Sequence, residues 1–404
     1  IFGVAANQKG VPLWSVGSSY SFHHLIPWEP IDRLKLRMTY GYNGNVDKNT
    51  TAYLTSRLYQ NMNLWGSPSD VIINPPNSTL RWERVSNTNL GVDFQIFKGL
   101  MGGSFEYFIK KGKGLMGNSP IAPQTGISEF YGNVASTTTR GIDLQLWIEW
   151  MRRKELTLRT DLILNIVKDR VDDYYKQPST NTAIVTAFDI VPLVGAPINA
   201  LTLYRSSGLN SQGDPLGYLQ GKPSSDYSAI LNGFDRESIQ IVGSRVPTHF
   251  GSLRNTMAYK GFELSFQLLY KFGNFLRKTN SLNSKQLIAG NYRFDDYPDR
   301  WKKQGDEQFT NVPKFIYPLD INREEFYQRS TTLAYSASLV RLQDVRFSYT
   351  MQPFSRQRTS SLQFFLFADN LGIIWKSNDM NLDPEVLSGY PSPLGISLGI
   401  KFNY

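Results

Sequence analysis

The residues able to do chemistry are few, and their spacing argues for recognition rather than catalysis. Two acidic clusters, Asp169/Asp172/Asp173 and Asp295/Asp296/Asp299, offer the oxygen ligands that calcium takes. Neither has the Asp-x-Asp-x-Asp-Gly spacing of a calcium loop, and a solvated acidic loop is the simpler reading of both. His23 and His24 are adjacent, which is not metal-ligand spacing, so no metal is expected. The chain has no cysteine, which removes disulfides, thiol catalysis and Cys-ligated zinc. No Ser/His/Asp set and no phosphate-binding glycine loop occurs, so neither a cofactor nor an enzymatic activity is expected. Contact chemistry remains. Trp65, Tyr131, Trp301 and Trp375 fall in polar connections and could stack on a substrate or a lid, with packing inside folded loops as the competing explanation. Asp143, Glu149 and Glu263 stand opposite large apolar residues on strand-like stretches, where they would line a wet lumen or pair with lumen Arg and Lys.

Composition narrows the class. The net charge is +9, but Lys and Arg are scattered, with short groups such as Arg152-Arg153-Lys154 and Arg356/Arg358 near turns. No basic stripe emerges, and nucleic acid is not an expected partner. Aromatics make up 13% of the chain, with 22 Tyr, 24 Phe and 32 Gly, a strand-and-turn composition. The most apolar stretch, Ile184 to Tyr204, is interrupted by Asp189, Pro192, Gly195 and Pro197. No run reaches the roughly 20 apolar residues of a spanning helix, so a membrane could be crossed only by strands.

Strand patterning points to such a crossing. In Leu394–Tyr404, the residues Ile396, Leu398, Ile400, Phe402 and Tyr404 share one face, and Ser397, Gly399, Lys401 and Asn403 share the other. A terminal strand closing on an aromatic suits assembly of an outer-membrane barrel with an aromatic girdle. Upstream, Val11–Phe22 and Asp32–Gly41 alternate in the same way; in the second, Leu34, Leu36, Met38 and Tyr40 oppose Lys35, Arg37 and Thr39. Hairpins follow at Asn89–Phe97 with Gly102–Lys110, Arg140–Trp150 with Glu155–Asn165, and Thr248–Tyr259 with Gly261–Phe272. Ser338–Thr350 and Ser360–Asp369 complete eleven strands. Connections alternate between short and long, the long ones covering about 43–88, 111–139, 166–247, 273–337 and 370–393. Short periplasmic turns and long extracellular loops are the habit of bacterial outer-membrane barrels. The fold class expected is therefore all-β, a transmembrane antiparallel β-barrel.

An odd count raises a question of closure. With Tyr404 on the periplasmic side, eleven strands place Ile1 on the extracellular side, and an open edge in lipid leaves backbone groups unpaired. Further strands are thus expected, either upstream in the same chain or from a second polypeptide. The opening IFGVAANQKG shows no Met or basic segment before an apolar core, so no signal peptide is read there.

Several stretches carry a resemblance. Asn74–Phe94 (NPPNSTLRWERVSNTNLGVDF), Thr125–Asp143 (TGISEFYGNVASTTTRGID) and Leu193–Tyr227, with VGAPI, GDPLGYLQG and PSSDY in order, are similar to blocks of the SusC/RagA family of TonB-dependent outer-membrane transporters. Ile241–Phe266, Ser338–Tyr349, Phe367–Val386 and Tyr390–Tyr404 continue the match. Arg245 and Thr248 replace commoner Asn and Arg, and Asp369-Asn370 stands where Gln-Asn is usual. The resemblance implies half of a barrel of about 22 strands, with the plug absent from residues 1–404. It implies import of oligosaccharides or peptides across a Gram-negative outer membrane of Bacteroidetes type. The implied partners are a SusD-like surface lipoprotein, the remaining barrel and plug, TonB acting through that plug, and outer-membrane lipid. A passive barrel or surface adhesin on the same scaffold, and a soluble glycan-binding module, are the alternatives.

Overall fold

The computed structural model describes residues 12–403 except 27, 46, 48–49, 60–68, 123, 125–126, 128, 177, 186–190, 292–293, 352–360, 381–382 and 387–389. Eleven strands form one antiparallel sheet in chain order: β1 (Trp14–Ser21), β2 (Ile31–Asn45), β3 (Glu83–Ile96), β4 (Met101–Pro120), β5 (Glu129–Arg152), β6 (Leu156–Tyr174), β7 (His249–Tyr259), β8 (Phe262–Phe272), β9 (Leu339–Met351), β10 (Ser361–Lys376) and β11 (Gly395–Asn403). Among the described residues, β1 and β11 each pair on one side only.

Register explains how one sheet keeps two chemistries apart. The rows Val16↔Tyr40↔Thr88↔Ile109 and Tyr20↔Leu36↔Val92↔Phe105 run across β1 to β4 without a slip. The rows between them carry Arg37↔Gly91↔Glu106 and Lys35↔Asp93↔Ser104. A one-residue slip would exchange the faces wholesale, so the alternation pins the pairing. The apolar face is not covered: Val16 is 62% exposed, Trp150 67% and Leu398 82%. Large side chains in the open on alternate residues are the reverse of a water-soluble sheet.

Turns follow from local backbone needs. Lys260 and Gly261, both at positive φ (47° and 89°), join β7 to β8 as a two-residue loop. This geometry matches the strand twist and is easiest with glycine at one centre.

The strands are longer than their apolar alternation. β4 runs to Pro120 and β5 begins at Glu129, so the connection expected over 111–139 is mostly strand. Likewise β6 reaches Tyr174, β3 begins at Glu83, and β10 reaches Lys376. Beyond the apolar stretch polar residues occupy both faces, and the period-two signal vanishes while backbone pairing continues. Within 43–88 a small hairpin pairs Thr55–Tyr59 with Ser69–Asn74.

Two compact units divide the chain. The first holds residues 1–146, 165–177 and 192–198, and the second 147–164, 178–191 and 199–404. In the first, Val134, Val171 and Tyr174 form a small buried cluster at the ends of β5 and β6. In the second, the core lies in the two long connections, where Leu203, Tyr204, Ile230, Leu282, Phe326 and Tyr327 are almost wholly buried. The connections between β6 and β7 and between β8 and β9 fold together as one lobe. Short strands Ala200–Tyr204 and Ile239–Ser244 pair, and Phe275–Arg277 pairs with Ala334–Ser336. Four short helices join them: α1 (Asn181–Val185), α2 (Tyr227–Asn232), α3 (Ser284–Ile288) and α4 (Ile321–Gln328). Asp226, Asn283 and Asp320 cap the last three by accepting Ala229, Gln286 and Arg323 amides at 3.0–3.1 Å. Phe326 of α4 sits between Tyr204 and Tyr227, with ring centroids 5.7 and 5.6 Å away. Each such aromatic adds about 1.5–3 kcal/mol of burial, which is how two polar connections hold a shape.

Burial pushes the Tyr204, Tyr227 and Tyr327 phenols above the ordinary tyrosine range. An unfolded lobe would release these protons from about pH 10 upward while the folded lobe keeps them. The lobe therefore loses stability as pH rises past that point and is unaffected below it. In an alkaline pH jump, exposed phenols ionise during mixing and these three only as the lobe opens. A phenolate absorbance trace lacking any slow phase would disprove this.

Candidate functional site

The polar face of β2 to β5 carries a connected charge network in the first unit. Arg37 on β2 donates from Nε and Nη2 to the two Asp93 carboxylate oxygens on β3, at 2.9 and 2.8 Å. Its Nη2 also reaches Glu106 Oε1 on β4 at 2.6 Å, and Asn89 Nδ2 holds Glu106 Oε2 at 2.9 Å. Gly91 opens the slot, because a Cβ there would lie 3.1 Å from the guanidinium carbon. The fork geometry of arginine is what lets one cation hold two strands' carboxylates.

A cleft of about 620 Å³ opens beside this network, lined among others by Thr39, Asn87, Asn89, Glu106, Lys110 and Asp143. Asn87 Oδ1 and Asn89 Oδ1 are buried acceptors without a hydrogen-bond partner among the described residues. Such an array can take hydroxyl and amide donors.

The second unit repeats the arrangement. Arg254 on β7 reaches Asp344 on β9 at 3.0 Å and Gln267 on β8, and the three stand in register. Arg346 donates to Gln363 at 3.2 Å, and Gln363 donates to Ser348 and Thr350. Asp344 is 6% exposed.

The expected site residues distribute as follows. Asp143 joins the first cleft with Glu106. Glu149 pairs with Arg152 and, at 3.6 Å, with Arg159 near the β5–β6 turn, an ion-pair role. Glu263 is half-buried on the polar face, opposite Ser348 in register. Trp65 and Tyr404 lie outside the described residues. Tyr131 is exposed near the start of β5. Trp301 packs on Gly213 and donates to Glu307 at 3.0 Å, so its indole is engaged inside the lobe. Trp375 belongs to strand β10 rather than to a connection, with its ring 6.0 Å from Phe272. Trp301 and Trp375 thus have separate partners and form no shared platform. Ile396, Leu398, Ile400 and Phe402 share the exposed apolar face of β11. Of the acidic clusters, Asp169 accepts the Ile198 amide, and Asp296 accepts the Leu282 amide and Lys278. No group of three metal-ligating side chains occurs among the described residues. Reading single strands exposed the charges on β2 but not their partners, which only cross-strand register reveals.

Replacing Arg37 with Met should leave Asp93 and Glu106 facing each other. With about 30% of these side chains exposed, water softens the cost to about 1–2 kcal/mol. Arg37→Lys should recover only part, since an ammonium lacks the fork. The heat-induced loss of the folded, fast-migrating band on a detergent gel measures both; equal stability for all three proteins would refute the bridging role.

A long-stranded antiparallel sheet with an open apolar face and a charged opposite face defines a transmembrane β-barrel wall. No helix among the described residues is long and apolar enough to cross a membrane. The chain belongs to the family described as "TonB dependent receptor-like, beta-barrel", whose model matches residues 3–234. This is a family of outer-membrane barrels. It is 22% identical over 424 residues to TonB-dependent receptor P26 of Formosa agariphila, covering 93% of this chain and 40% of that protein. It is also 22% identical over 371 residues to TonB-dependent receptor SusC of Bacteroides thetaiotaomicron, covering 81% and 32%. The structure of the RagAB peptide transporter superposes with a TM-score of 0.76 at 19% identity, covering 99% of this chain and 44% of that one. The chain therefore spans about 40% or less of these curated relatives' length. The resemblance read from the sequence is confirmed, and the relatives are named as receptors and transporters rather than enzymes.

Proposed function

We propose that this chain is part of the barrel wall of an outer-membrane active importer. The two-faced sheet carries this reading: apolar residues are presented outward on alternate positions while Arg, Asp, Glu and Asn line the other face. The long connections, about 43–88, 111–139, 166–247, 273–337 and 370–393 in the sequence reading and shortened by the strands described above, lie on the extracellular side. There a SusD-like lipoprotein would dock as a lid. Energy comes from TonB through a plug supplied by the rest of the protein. The cargo is an oligosaccharide or an oligopeptide, whose hydroxyl and amide groups suit the unpaired Asn acceptors and forked ion pairs of the polar face. The RagAB peptide transporter, whose structure this chain resembles, is named for the second of these cargo classes. Asp143, Glu149 and Glu263 act as lumen lining, and Tyr131, Trp375 and Trp65 as candidate contacts for cargo or lid.

Uptake of fluorescent oligosaccharide and oligopeptide pools by cells with and without the full-length gene tests the proposal. Active import predicts uptake that vanishes with the gene and with a protonophore. Protonophore-insensitive uptake would mean a passive barrel, and surface binding without entry an adhesin.

A further inference from the structure

The face opposite the ion-pair network carries a second charged feature. On β4, pairing with β3 runs unshifted from Ile96↔Met101 to Arg84↔Lys113. Phe105, Tyr107, Ile109, Lys111 and Lys113 therefore share the apolar face. On β5, Gly141 backs onto Phe108, and Asp143 shares the polar-face cleft with Glu106. Arg140 and Thr138 consequently lie on the apolar side, directly beyond Ile142 and Leu144. Asp172 of β6 accepts from Thr138 and pairs with Arg170 at 2.9 Å, which brings Arg170 to the same place.

These residues line one cleft of about 610 Å³ containing Lys111, Lys113, Arg140 and Arg170 against a single carboxylate, Asp172, which is already engaged. Lys111, Lys113 and Arg140 are exposed and make no ion pair among the described residues. Arg84, opposite Lys113 in register, adds a further cation. Along the row Trp14↔Tyr42↔Ser86↔Lys111 the same face carries the packed aromatics Trp14, Tyr40 and Tyr42, with the two tyrosine hydroxyls 2.9 Å apart. Amphipathic aromatics and then cations, just past an apolar stretch, is the order in which a bilayer changes from hydrocarbon to headgroup.

We propose that this cleft binds the phosphate-bearing headgroup of a glycolipid in the outer leaflet. Ammonium and guanidinium groups take phosphate oxygens with charge-assisted bonds, and Ser136 adds a hydroxyl donor. A soluble anionic cargo would meet the opposite face, where the transit path runs. The inference rests on the barrel reading above, with the apolar face in lipid and the long connections outward.

The test is native mass spectrometry of the full-length protein in detergent with monophosphoryl lipid A, its dephosphorylated form, and soluble polygalacturonate. The triple variant Lys111→Gln/Lys113→Gln/Arg140→Gln should bind the phosphorylated lipid on the order of a hundredfold more weakly. The dephosphorylated lipid should bind weakly to both proteins. Should the triple variant assemble poorly, the exposed pair Lys111→Gln/Lys113→Gln should show about a tenfold loss. A nitroxide at Ile109→Cys in vesicles checks the underlying reading through its accessibility to oxygen and to a water-soluble relaxant. A lipid signal at 109 with unchanged lipid A binding overturns the inference and leaves the barrel intact. A water signal overturns both. Loss of polygalacturonate binding alone would overturn the lipid assignment in favour of an anionic glycan.

Discussion

Arg323→Met should loosen the loop lobe by about 3–5 kcal/mol while leaving the sheet intact. The side chain is 2% exposed. Its Nε reaches Asp214 at 2.9 Å, its Nη1 reaches Glu324 at 3.1 Å, and its Nη2 donates to the Lys314 carbonyl at 3.0 Å. Asp214 comes from the first long connection and Arg323 from the second, so one guanidinium holds the two together. Glu324 in turn accepts the Ser284 amide at 2.8 Å, fixing the start of α3. Removing the cation leaves carboxylates buried with too little to neutralise them, and this penalty exceeds the value of any surface pair. Hydrogen exchange read by mass spectrometry on the full-length protein should show faster exchange in 206–219 and 321–328, with β8 and β9 unchanged. Adding Asp214→Leu should recover part of the loss, because an unpaired charge is costlier than none. Unaltered exchange in the single variant would dismiss Arg323 as the joint.

Leu398→Arg should cost about 2–4 kcal/mol if β11 faces hydrocarbon, the range for a cation near the bilayer midplane. The same change on an exposed position of a soluble sheet is worth about 0.5 kcal/mol or less. Leu398 is 82% exposed and pairs with Leu366, also on the apolar face. Equilibrium folding into lipid vesicles measures the cost, with Ser397→Lys on the opposite face as the near-neutral control. If both variants fold alike, the apolar face is not in lipid.

Much of this architecture was legible because barrel strands announce themselves by parity. Leu34, Leu36 and Met38 against Lys35 and Arg37 place β2, and the same reading located all eleven strands in order. Strand ends were not legible, because above the apolar stretch Lys111, Gly112 and Lys113 carry no contrast between faces. Trp375 was misplaced for that reason. The site was half visible: Asp143 could be assigned to the polar face, but its neighbours Glu106 and Asn89 sit on strands tens of residues earlier. Arg323 was invisible to any period, since an eight-residue helix gives almost no pattern and its partner lies 109 positions away. The four cations of the apolar-face cleft read as scattered, because register rather than sequence gathers them.

The shared core of the two long connections has a consequence for how such proteins diversify. A gene segment that exchanged only the stretch between β6 and β7 would import Tyr204 and Asp214 positions unmatched to the resident Phe326 and Arg323. Most such recombinants should misfold at the surface. The two stretches should therefore be inherited as a pair, although the hairpin of residues 249–272, about the size of a small supersecondary unit, separates them on the chain. Change in this surface should then proceed by compensated substitutions on both sides of the core or by transfer of the whole block from 175 to 338.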